Sequence, residues 1–447
     1  MDTIRNLKLQ KIALARRTKV VYQFTAMRLR LLLSIAISLG VFTVRGEDWP
    51  QFRGPGGRAV SETATPPIGF GPSSNLLWKV AIPEGVSSPA VTGERIFLTA
   101  LTAKRIEALA LDRKNGRILW KHNLDSEGTP TPTPVTDGKS VYVFFGSIGV
   151  IAFDLDGQEQ WRHPIAKPDF SASSSPILID DKLIIVCDRD TDSFVEALDK
   201  KSGRSLWRAE RPQFRRARAT PFHWKHGHEE ELIVSGSFAL TSYDPNTGEQ
   251  KWRFPGAARW AMSSPAGGEN LLFTLTMKDG VGEDQDEGGA RATGIPALDL
   301  TQPTGPEPPK AASALRAIRP GGCTVVVWNS ARSLPYGNSP LYYKGRLFTV
   351  KSGGFVTAYD AKTGEPIYQD ERINSPDDYW SSPVAAAGRV YFASEKGIVT
   401  VMDATADTPT ILAQNQLNEQ ILATPALIDQ TILIRTAKNL YSFGASK

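Results

Sequence analysis

Short apolar runs recur along the chain at a nearly constant interval, and each begins just after a Ser-Pro or Thr-Pro pair. The runs, such as ERIFLTA, KSVYVFF, DKLIIVC and GRLFTVK, are rich in β-branched and aromatic residues and are bounded by Gly and Asp. This pattern predicts short β-strands separated by tight turns. Successive pairs lie 42 to 45 residues apart, with one interval of 75, and their prolines are Pro89, Pro134, Pro176, Pro221, Pro265, Pro340, Pro383 and Pro425.

Most periods carry three further landmarks in a fixed order. An Asp follows the proline by 20 to 23 residues, a glycine comes three or four residues after the Asp, and an aromatic residue comes seven or eight after it. We expect the Asp side chain to cap a tight turn, the Gly to supply a positive φ, and the aromatic ring to pack between neighbouring sheets. The clearest sets begin at Asp112, Asp154, Asp199, Asp244 and Asp360 and end at Trp120, Trp161, Trp207, Trp252 and Tyr368.

Four short strands in a period of about 42 residues are typical of a propeller blade. The final period stops after its third strand, NLYSFG, whereas NLLWKVAIP, with Trp78, is a spare strand before the first Ser-Pro pair. If these two segments pair, a ring closes without exposed edges. We therefore predict an all-β fold, an eight-bladed β-propeller whose N- and C-terminal strands close the last blade.

The interval of 75 residues fits one blade with an insertion, and we place that insertion at about 279–314 in blade five. The predicted organisation is a leader at 1–46, an N-terminal extension at 47–75 and the propeller at 76–447.

The leader has the features of a signal peptide. Its apolar run, residues 31–44, is fourteen residues long and follows Arg28 and Arg30. A membrane span needs about 20 such residues, whereas the apolar region of a signal peptide needs roughly 7–15. We predict cleavage before Glu47, export to the periplasm or the cell exterior, and no transmembrane span after cleavage. An uncleaved anchor and a start at Met27 remain open.

The net charge of +5 comes from the leader. Residues 1–46 hold nine of the 52 basic residues and one of the 47 acidic residues, which leaves 43 basic and 46 acidic residues and a net charge of −3. A nucleic-acid partner requires a positive surface on the folded body, so this partner class is excluded.

The repeat landmarks resemble those of the pyrroloquinoline-quinone (PQQ)-like repeat family, over residues 48–444. That family includes quinoprotein alcohol dehydrogenases and the assembly factor BamB. The opening DWPQFRGPGG and the stretch RPGGCTVVVWNSARSLPYGNSP are also similar to segments of exported family members. The resemblance implies the fold and no particular activity, because function depends on sites rather than on folds.

An enzyme of this family would hold PQQ in the central funnel beside Ca²⁺, use an Asp as base, and commonly cap the quinone with adjacent cysteines. The only cysteines here are Cys187 and Cys323, and no run matches the calcium-ligand or base motifs. No catalytic residue is assigned and no cofactor is expected. PQQ with calcium stays an alternative that the motifs do not support.

The residues just before the Ser/Thr-Pro pairs should open the innermost strands and face the axis. Stacking and charge there would clamp a small anionic or aromatic ligand, or a protein. The competing interpretation is that these side chains plug the channel. The candidate funnel-mouth residues are Arg218, Arg259, Trp260, Asn338, Tyr379 and Trp380.

Two further segments carry residues that can bind metal ions, but their spacing does not support a site and no metal is predicted. His223, His226 and His228 lie where a hairpin turn is due, without a matching second pair of ligands. The acidic stretch 279–289 lacks the spacing of an EF-hand.

The sequence therefore predicts a non-catalytic exported propeller that acts as a binding or scaffold module. A PQQ-dependent quinoprotein oxidoreductase and a BamB-like outer-membrane protein assembly factor are the alternatives. The latter is weakened because no lipid-attachment Cys follows the apolar run.

Overall fold

The computed structural model describes residues 48–102, 105–124, 131–166, 173–237, 239–255, 261–268, 270–276, 314–319, 325–330, 332–335, 337–373 and 376–445. All of them belong to one compact unit, Gly46–Lys447. The leader and nearly all of the predicted insertion lie outside the described residues. In the part that is described, no helix has the length and apolar character needed to cross a membrane.

The described chain is built almost entirely of short strands. A 3₁₀ helix, Pro55–Gly57, precedes β1 (Val60–Ser61) and β2 (Leu76–Ala81). The next strands in chain order are β3 (Ala90–Thr92), β4 (Arg95–Thr102), β5 (Arg105–Asp112), β6 (Ile118–Asn123), β7 (Val135–Thr136), β8 (Ser140–Phe145), β9 (Gly149–Asp154), β10 (Glu159–His163), β11 (Ile177–Ile179), β12 (Lys182–Cys187), β13 (Phe194–Asp199), β14 (Ser205–Glu210), β15 (Phe222–His226), β16 (Glu229–Gly236), β17 (Ala239–Tyr243) and β18 (Gln250–Pro255). The remainder are β19 (Ala266–Gly268), β20 (Leu271–Thr276), β21 (Ala314–Arg319), β22 (Val325–Ser330), β23 (Leu341–Tyr343), β24 (Arg346–Lys351), β25 (Phe355–Asp360), β26 (Pro366–Arg372), β27 (Val384–Ala386), β28 (Arg389–Ala393), β29 (Ile398–Asp403), β30 (Ile411–Gln416), β31 (Ala426–Ile428), β32 (Thr431–Arg435) and β33 (Asn439–Gly444).

The predicted count of eight blades requires a correction. Seven blades are each a run of four consecutive antiparallel strands, from β3–β6 in blade one to β27–β30 in blade seven. The remaining sheet is a composite of both ends of the chain, in the order β2-β33-β32-β31. Blade seven also carries a fifth strand, because β1 pairs in parallel with β27. The chain thus makes seven continuous blades, and a sheet assembled from its two ends completes the ring.

The composite sheet joins the two ends of the chain directly. Strand β2 pairs antiparallel with β33, and Trp78 lies opposite Ser442. The buried guanidinium of Arg435 in β32 then donates to the carbonyl oxygens of Ser87 (3.0 Å) and Thr99 (2.8 Å) in blade one. Burial lowers the pKa of Arg435 to about 9. Hydrogen bonds from this buried guanidinium therefore join the composite sheet to blade one, in addition to side-chain packing.

Within each blade, burial falls from the axis outward. The second and third strands are buried on both faces, as in β4 and β5, because a neighbouring blade covers each face. The outermost strand consists of half-buried and exposed positions, as in β2 and its counterpart β10, and in β14 apart from the buried Trp207. This explains why the middle runs read as continuously apolar while the outer strands are polar with one aromatic residue.

The recurring outer tryptophans dock on the next sheet around the ring. The indole N–H of Trp161, for example, donates to the carbonyl oxygen of Lys200 (3.1 Å), and a Cβ on Gly203 would lie 2.3 Å from the same indole. Gly203 has a φ of 69°, so both backbone freedom and close approach require glycine here. The same contact joins Trp78 to Arg113, Trp120 to Leu155, Trp207 to Pro245 and Trp328 to Ala361.

The N-terminal extension closes the end of the channel opposite the Ser/Thr-Pro pairs. Trp49 is fully buried and pairs with Val91 in the innermost strand of blade one. Arg53 is also buried, and its guanidinium donates to the carbonyl oxygens of Pro265 (3.0 Å) and Pro340 (2.6 Å), which begin blades five and six. Burial lowers the pKa of Arg53 to about 9. Residues 48–61, called the plug from here on, thus bridge the innermost strands of several blades.

We predict that Arg53→Ala lowers the free energy of unfolding by about 2–4 kcal/mol, because it removes two charge-assisted hydrogen bonds and leaves a buried gap. Chemical unfolding followed by tryptophan fluorescence measures the change. The control is Arg58→Ala, which removes an exposed arginine of the same segment and should shift stability by less than about 0.5 kcal/mol. Equal unfolding midpoints for the two variants would contradict a stabilising plug.

Glu419 lies in the link between β30 and β31 and stabilises the composite sheet through several hydrogen bonds. Its carboxylate accepts hydrogen bonds from Tyr441 (2.5 Å), Thr436 (2.5 Å) and Asn439 (2.8 Å), and it lies 2.9 Å from Nζ of Lys79 in β2. Burial by itself would raise the pKa of Glu419, but these hydrogen bonds outweigh it and lower the pKa to about 2. One carboxylate therefore holds the first and last strands of the propeller together.

A folded-state pKa below the ordinary value of 4.5 makes stability depend on pH. The contribution of Glu419 is complete above pH 4.5 and is lost as the pH falls through about 2. We predict that Glu419→Gln costs about 1–3 kcal/mol at pH 7 and removes this part of the acid sensitivity. Unfolding free energies measured across that pH range for the wild type, the variant and the exposed control Glu365→Gln provide the check. A wild-type minus Glu419→Gln difference that does not change with pH would exclude this role.

Candidate functional site

A circle of backbone-to-hydroxyl hydrogen bonds, open between Ser175 and Thr220, surrounds the axis of the propeller. In seven of its eight steps, the N–H of the Ser or Thr that precedes the proline donates to the hydroxyl oxygen of the equivalent residue in the next sheet. Ser88 donates to Thr133 (2.9 Å), and Thr424 of the composite sheet donates back to Ser88 (3.0 Å). The other measured steps have the same geometry and run from Thr133 to Ser175, Thr220 to Ser264, Ser264 to Ser339, Ser339 to Ser382, and Ser382 to Thr424.

The eight hydroxyl residues of this girdle are all buried. Each hydroxyl that accepts a backbone N–H still has its own hydrogen to donate. The girdle hydroxyls donate to none of the described residues, so a ring of O–H donors faces the axis. The girdle explains why every repeat places Ser or Thr before the proline.

A cavity of about 400 Å³ lies on the axis above the girdle. Its wall is a second ring, formed by the residues two positions before each girdle residue, and its base includes Phe52 of the plug. This second ring is polar over blades two to four and mainly apolar elsewhere. In blade order its members are Val86, Thr131, Ser173, Arg218, Met262, Gly337, Trp380 and Leu422.

Trp380 forms a fixed aromatic surface in this wall. The indole is 38% exposed, its N–H donates to Oε2 of Glu395 (2.9 Å), and the other oxygen of Glu395 accepts from Gln420 (2.8 Å). A Cβ on Gly337 would lie 3.0 Å from the indole, so the ring lies against the backbone of blade six. An exposed indole held on two sides is suited to stacking against a ligand.

Two charged side chains line the cavity on opposite sides, one basic and one acidic. Arg218 is exposed, and its guanidinium has no hydrogen-bond or ion-pair partner among the described residues. Glu395 is the acidic residue of the described lining, and both of its oxygens already accept hydrogen bonds. The cavity therefore presents one unpaired cation and, across from it, an aromatic surface, above a ring of hydroxyl donors.

The structure separates the predicted funnel-mouth residues into three groups. Arg218 and Trp380 line the cavity. Asn338 and Tyr379 do not: both are buried, and the amide of Asn338 donates to the carbonyl oxygens of Val350 and Tyr379. Arg259 and Trp260 lie outside the described residues. The ligand-binding role assigned to these positions stays a prediction.

Strand alternation explains the error at Asn338. Neighbouring residues of an extended segment point to opposite sides, so the girdle residue and the one two before it face the axis while the residue between them points into the blade. Ser87 and Ser174 share the position of Asn338, and each donates to a nearby carbonyl oxygen. Counting back two positions from the Ser or Thr that precedes each proline would have identified the remaining wall residues. Phe52 could not be found in this way, because it belongs to the plug and not to the repeat.

The described lining does not fit PQQ with calcium. A polyanionic quinone needs several cationic partners and its Ca²⁺ needs free carboxylate oxygens, whereas the described wall offers Arg218 alone and a carboxylate whose oxygens are taken. Cys187 is buried in β12, away from the cavity, and Cys323 lies outside the described residues. No catalytic step through a quinone is derived from these residues.

The three histidines do not converge on a metal site. Within the described ranges, the one group of ligand atoms close enough to share an ion is that of His226, Glu229 and Glu231, within 4.8 Å of one another. Nε2 of His226 lies 2.9 Å from Glu231, whose second oxygen accepts from Trp252 (2.6 Å). This buried carboxylate is thus satisfied by protein donors.

The family that the sequence matches is consistent with the propeller fold described above. The sequence matches the family described as outer membrane protein assembly factor BamB over residues 71–189, 191–292 and 324–445. A search against the curated proteins found no match.

The fold is shared with several solved structures. BamB from Moraxella catarrhalis is 14% identical, with a TM-score of 0.57, over 82% of this chain and 98% of its own. The quinohemoprotein alcohol dehydrogenase from Comamonas testosteroni is 12% identical, with a TM-score of 0.57, over 90% of this chain and 81% of its own. The computationally designed Ika8 protein gives a TM-score of 0.58 at 11% identity, over 83% of this chain and 99% of its own. At such identities these likenesses show the fold alone. The match over three long segments, together with the repeat geometry, shows that this chain belongs to the PQQ-repeat β-propeller family that includes BamB.

Proposed function

We propose that the protein is an exported, non-catalytic propeller that binds a ligand or partner at the mouth of its axial cavity. The observation that carries this proposal is the exposed indole of Trp380, held by Glu395 and Gly337, across the cavity from the unpaired guanidinium of Arg218. An aromatic ring that is held in one orientation and still exposed in a cavity favours recognition of a ligand.

Two features of the chain support export and binding rather than catalysis. The leader has the charge and apolar length of a signal peptide, as described above. The described lining contains no acid–base pair, because the oxygens of Glu395 are engaged by Trp380 and Gln420. A role in outer-membrane protein assembly is a more specific form of the same proposal, favoured by the family match.

A capture experiment tests the proposal: the mature protein is immobilised, and the proteins and small molecules that it retains from an envelope extract are identified. We expect Trp380→Ala and Arg218→Gln each to reduce retention of the captured material at least about fivefold, because both remove groups at the mouth. Quantitative mass spectrometry of proteins and small molecules measures retention. Assembly components among the material lost would support the BamB-like role.

Matched controls keep the capture experiment specific. Leu206→Ala removes a side chain that is 50% exposed on an outer strand, and Arg204→Gln neutralises an exposed arginine in a turn at the opposite end of blade three. Both should retain what the wild type retains. Equal retention by all four variants would overturn binding at the mouth.

The oxidoreductase alternative has its own test. We predict that the protein incubated with PQQ and Ca²⁺ shows no saturable change in quinone absorbance and no dye-linked alcohol or sugar oxidation, because the described wall provides too few partners for the quinone. Turnover that depends on PQQ and is lost in Trp380→Ala would replace the binding proposal with an enzymatic one.

A further inference from the structure

The mouth face is the end of the propeller that carries the links between sheets and the turns between the second and third strands of each blade. Both large cavities open on it. The axial cavity is one, and the other is a cleft of about 610 Å³ between blades six and seven and the composite sheet. Glu395, in the turn between β28 and β29, lines both. The two cavities therefore share one wall residue on this face.

One side of this face is basic. The link from β14 to β15 carries Arg215, Arg216 and Arg218, all exposed. Arg216 forms an ion pair with Asp190, with 2.6 Å between the nitrogen and the carboxylate oxygen. Among the described residues, no other acidic side chain pairs with any of these three arginines. A net positive charge therefore remains at blade four.

The opposite side is acidic. The cleft is lined by Asp377, Asp378, Glu395 and Glu419, and of these Glu419 is paired with Lys79 (2.9 Å). The one cation of the described lining is Lys396, whose ammonium donates to the carbonyl oxygen of Pro376 (3.1 Å). Asp378 is exposed. The hydrogen-bonded surroundings that lower the pKa of Glu419 to about 2 keep that carboxylate charged at neutral pH. Since blade four and the composite sheet face each other across the axis, the mouth is electrically polarised.

The axial cavity between the two charged sides has an apolar surface and free hydrogen-bonding capacity. Trp380 lines the axial cavity and donates to Glu395, the residue that both cavities share. Thr220 of the girdle also lines the axial cavity, and its hydroxyl has no hydrogen-bond partner among the described residues. This hydroxyl is therefore available to donate to a ligand in the cavity.

We propose that the mouth receives an extended peptide segment of a partner protein, with an aromatic residue on Trp380, an acidic residue toward Arg218 and a basic residue in the cleft. This inference rests on the proposed function and specifies its partner. A peptide matches the surface because its side chains can carry both charges while its carbonyl groups accept hydrogen bonds from the girdle hydroxyls. A compact small molecule would meet only one of the charged sides.

Fluorescence anisotropy with capped nonapeptides tests the inference on the full mature chain. The probe carries two glutamates at one end, a central phenylalanine and two lysines at the other, and the same residues in reverse order form a second probe. We expect one of the two to bind at least about tenfold more tightly than versions with glutamine at either end or glycine at the centre, and to weaken as salt is raised. Failure of both probes to bind, or equal binding of the glycine version, would overturn the inference.

Charge reversal in the protein locates the contacts. Arg218→Glu and Asp378→Lys should each weaken binding of the preferred probe about tenfold or more. Arg204→Glu and Glu249→Lys make the same charge changes in exposed turns on the opposite face and should alter it less than about twofold. Arg218→Glu should also bind a probe with lysines at both ends better than the wild type does. Equal effects at the two faces would overturn the inference, whereas the capture experiment above decides the proposed function independently.

Discussion

The last sheet of the ring is complete only if both ends of the chain contribute to it, and this constraint determines how the two ends are used. Without β2 that sheet would have three strands, and the mostly buried strand β33 would become its exposed edge. The C-terminal period has three strands, so it needs β2 from the far end of the sequence, and the pairing of β2 with β33 supplies it. The buried contacts of Arg435 and the hydrogen bonds to Glu419 lie at this same sheet. A buried arginine and a carboxylate that accepts several hydrogen bonds therefore lie where the ring closes.

The repeats made most of the architecture predictable from the sequence. Ser/Thr-Pro pairs, turn residues and outer tryptophans occur at fixed spacing because each serves one recurring contact, such as that between Trp161 and Gly203. The added strand β1 was not predictable in this way. Two residues, Val60 and Ser61, form it, and a pair of residues contains no periodicity.

The candidate site was only half predictable, for a different physical reason. Sequence spacing identifies which residues approach the axis, but the direction of a side chain depends on its phase along the strand. Trp380 and Arg218 have the phase that faces the cavity, whereas Asn338 is one residue away and points into the blade. The contacts made by the plug could not be predicted from the repeat at all. Arg53 donates to Pro265 and Pro340, and these partners are more than 200 residues away in the sequence, so the spacing of the repeat contains no information about them.

The plug has a consequence for how anything reaches the axis. Phe52 contributes to the base of the cavity, and Trp49 and Arg53 occupy the space behind it. The plug therefore forms the base of the cavity, and a ligand that binds there would have to enter and leave through the mouth. Its rate of release would then depend on the wall residues, which are distinct from the hydroxyl residues that join neighbouring sheets.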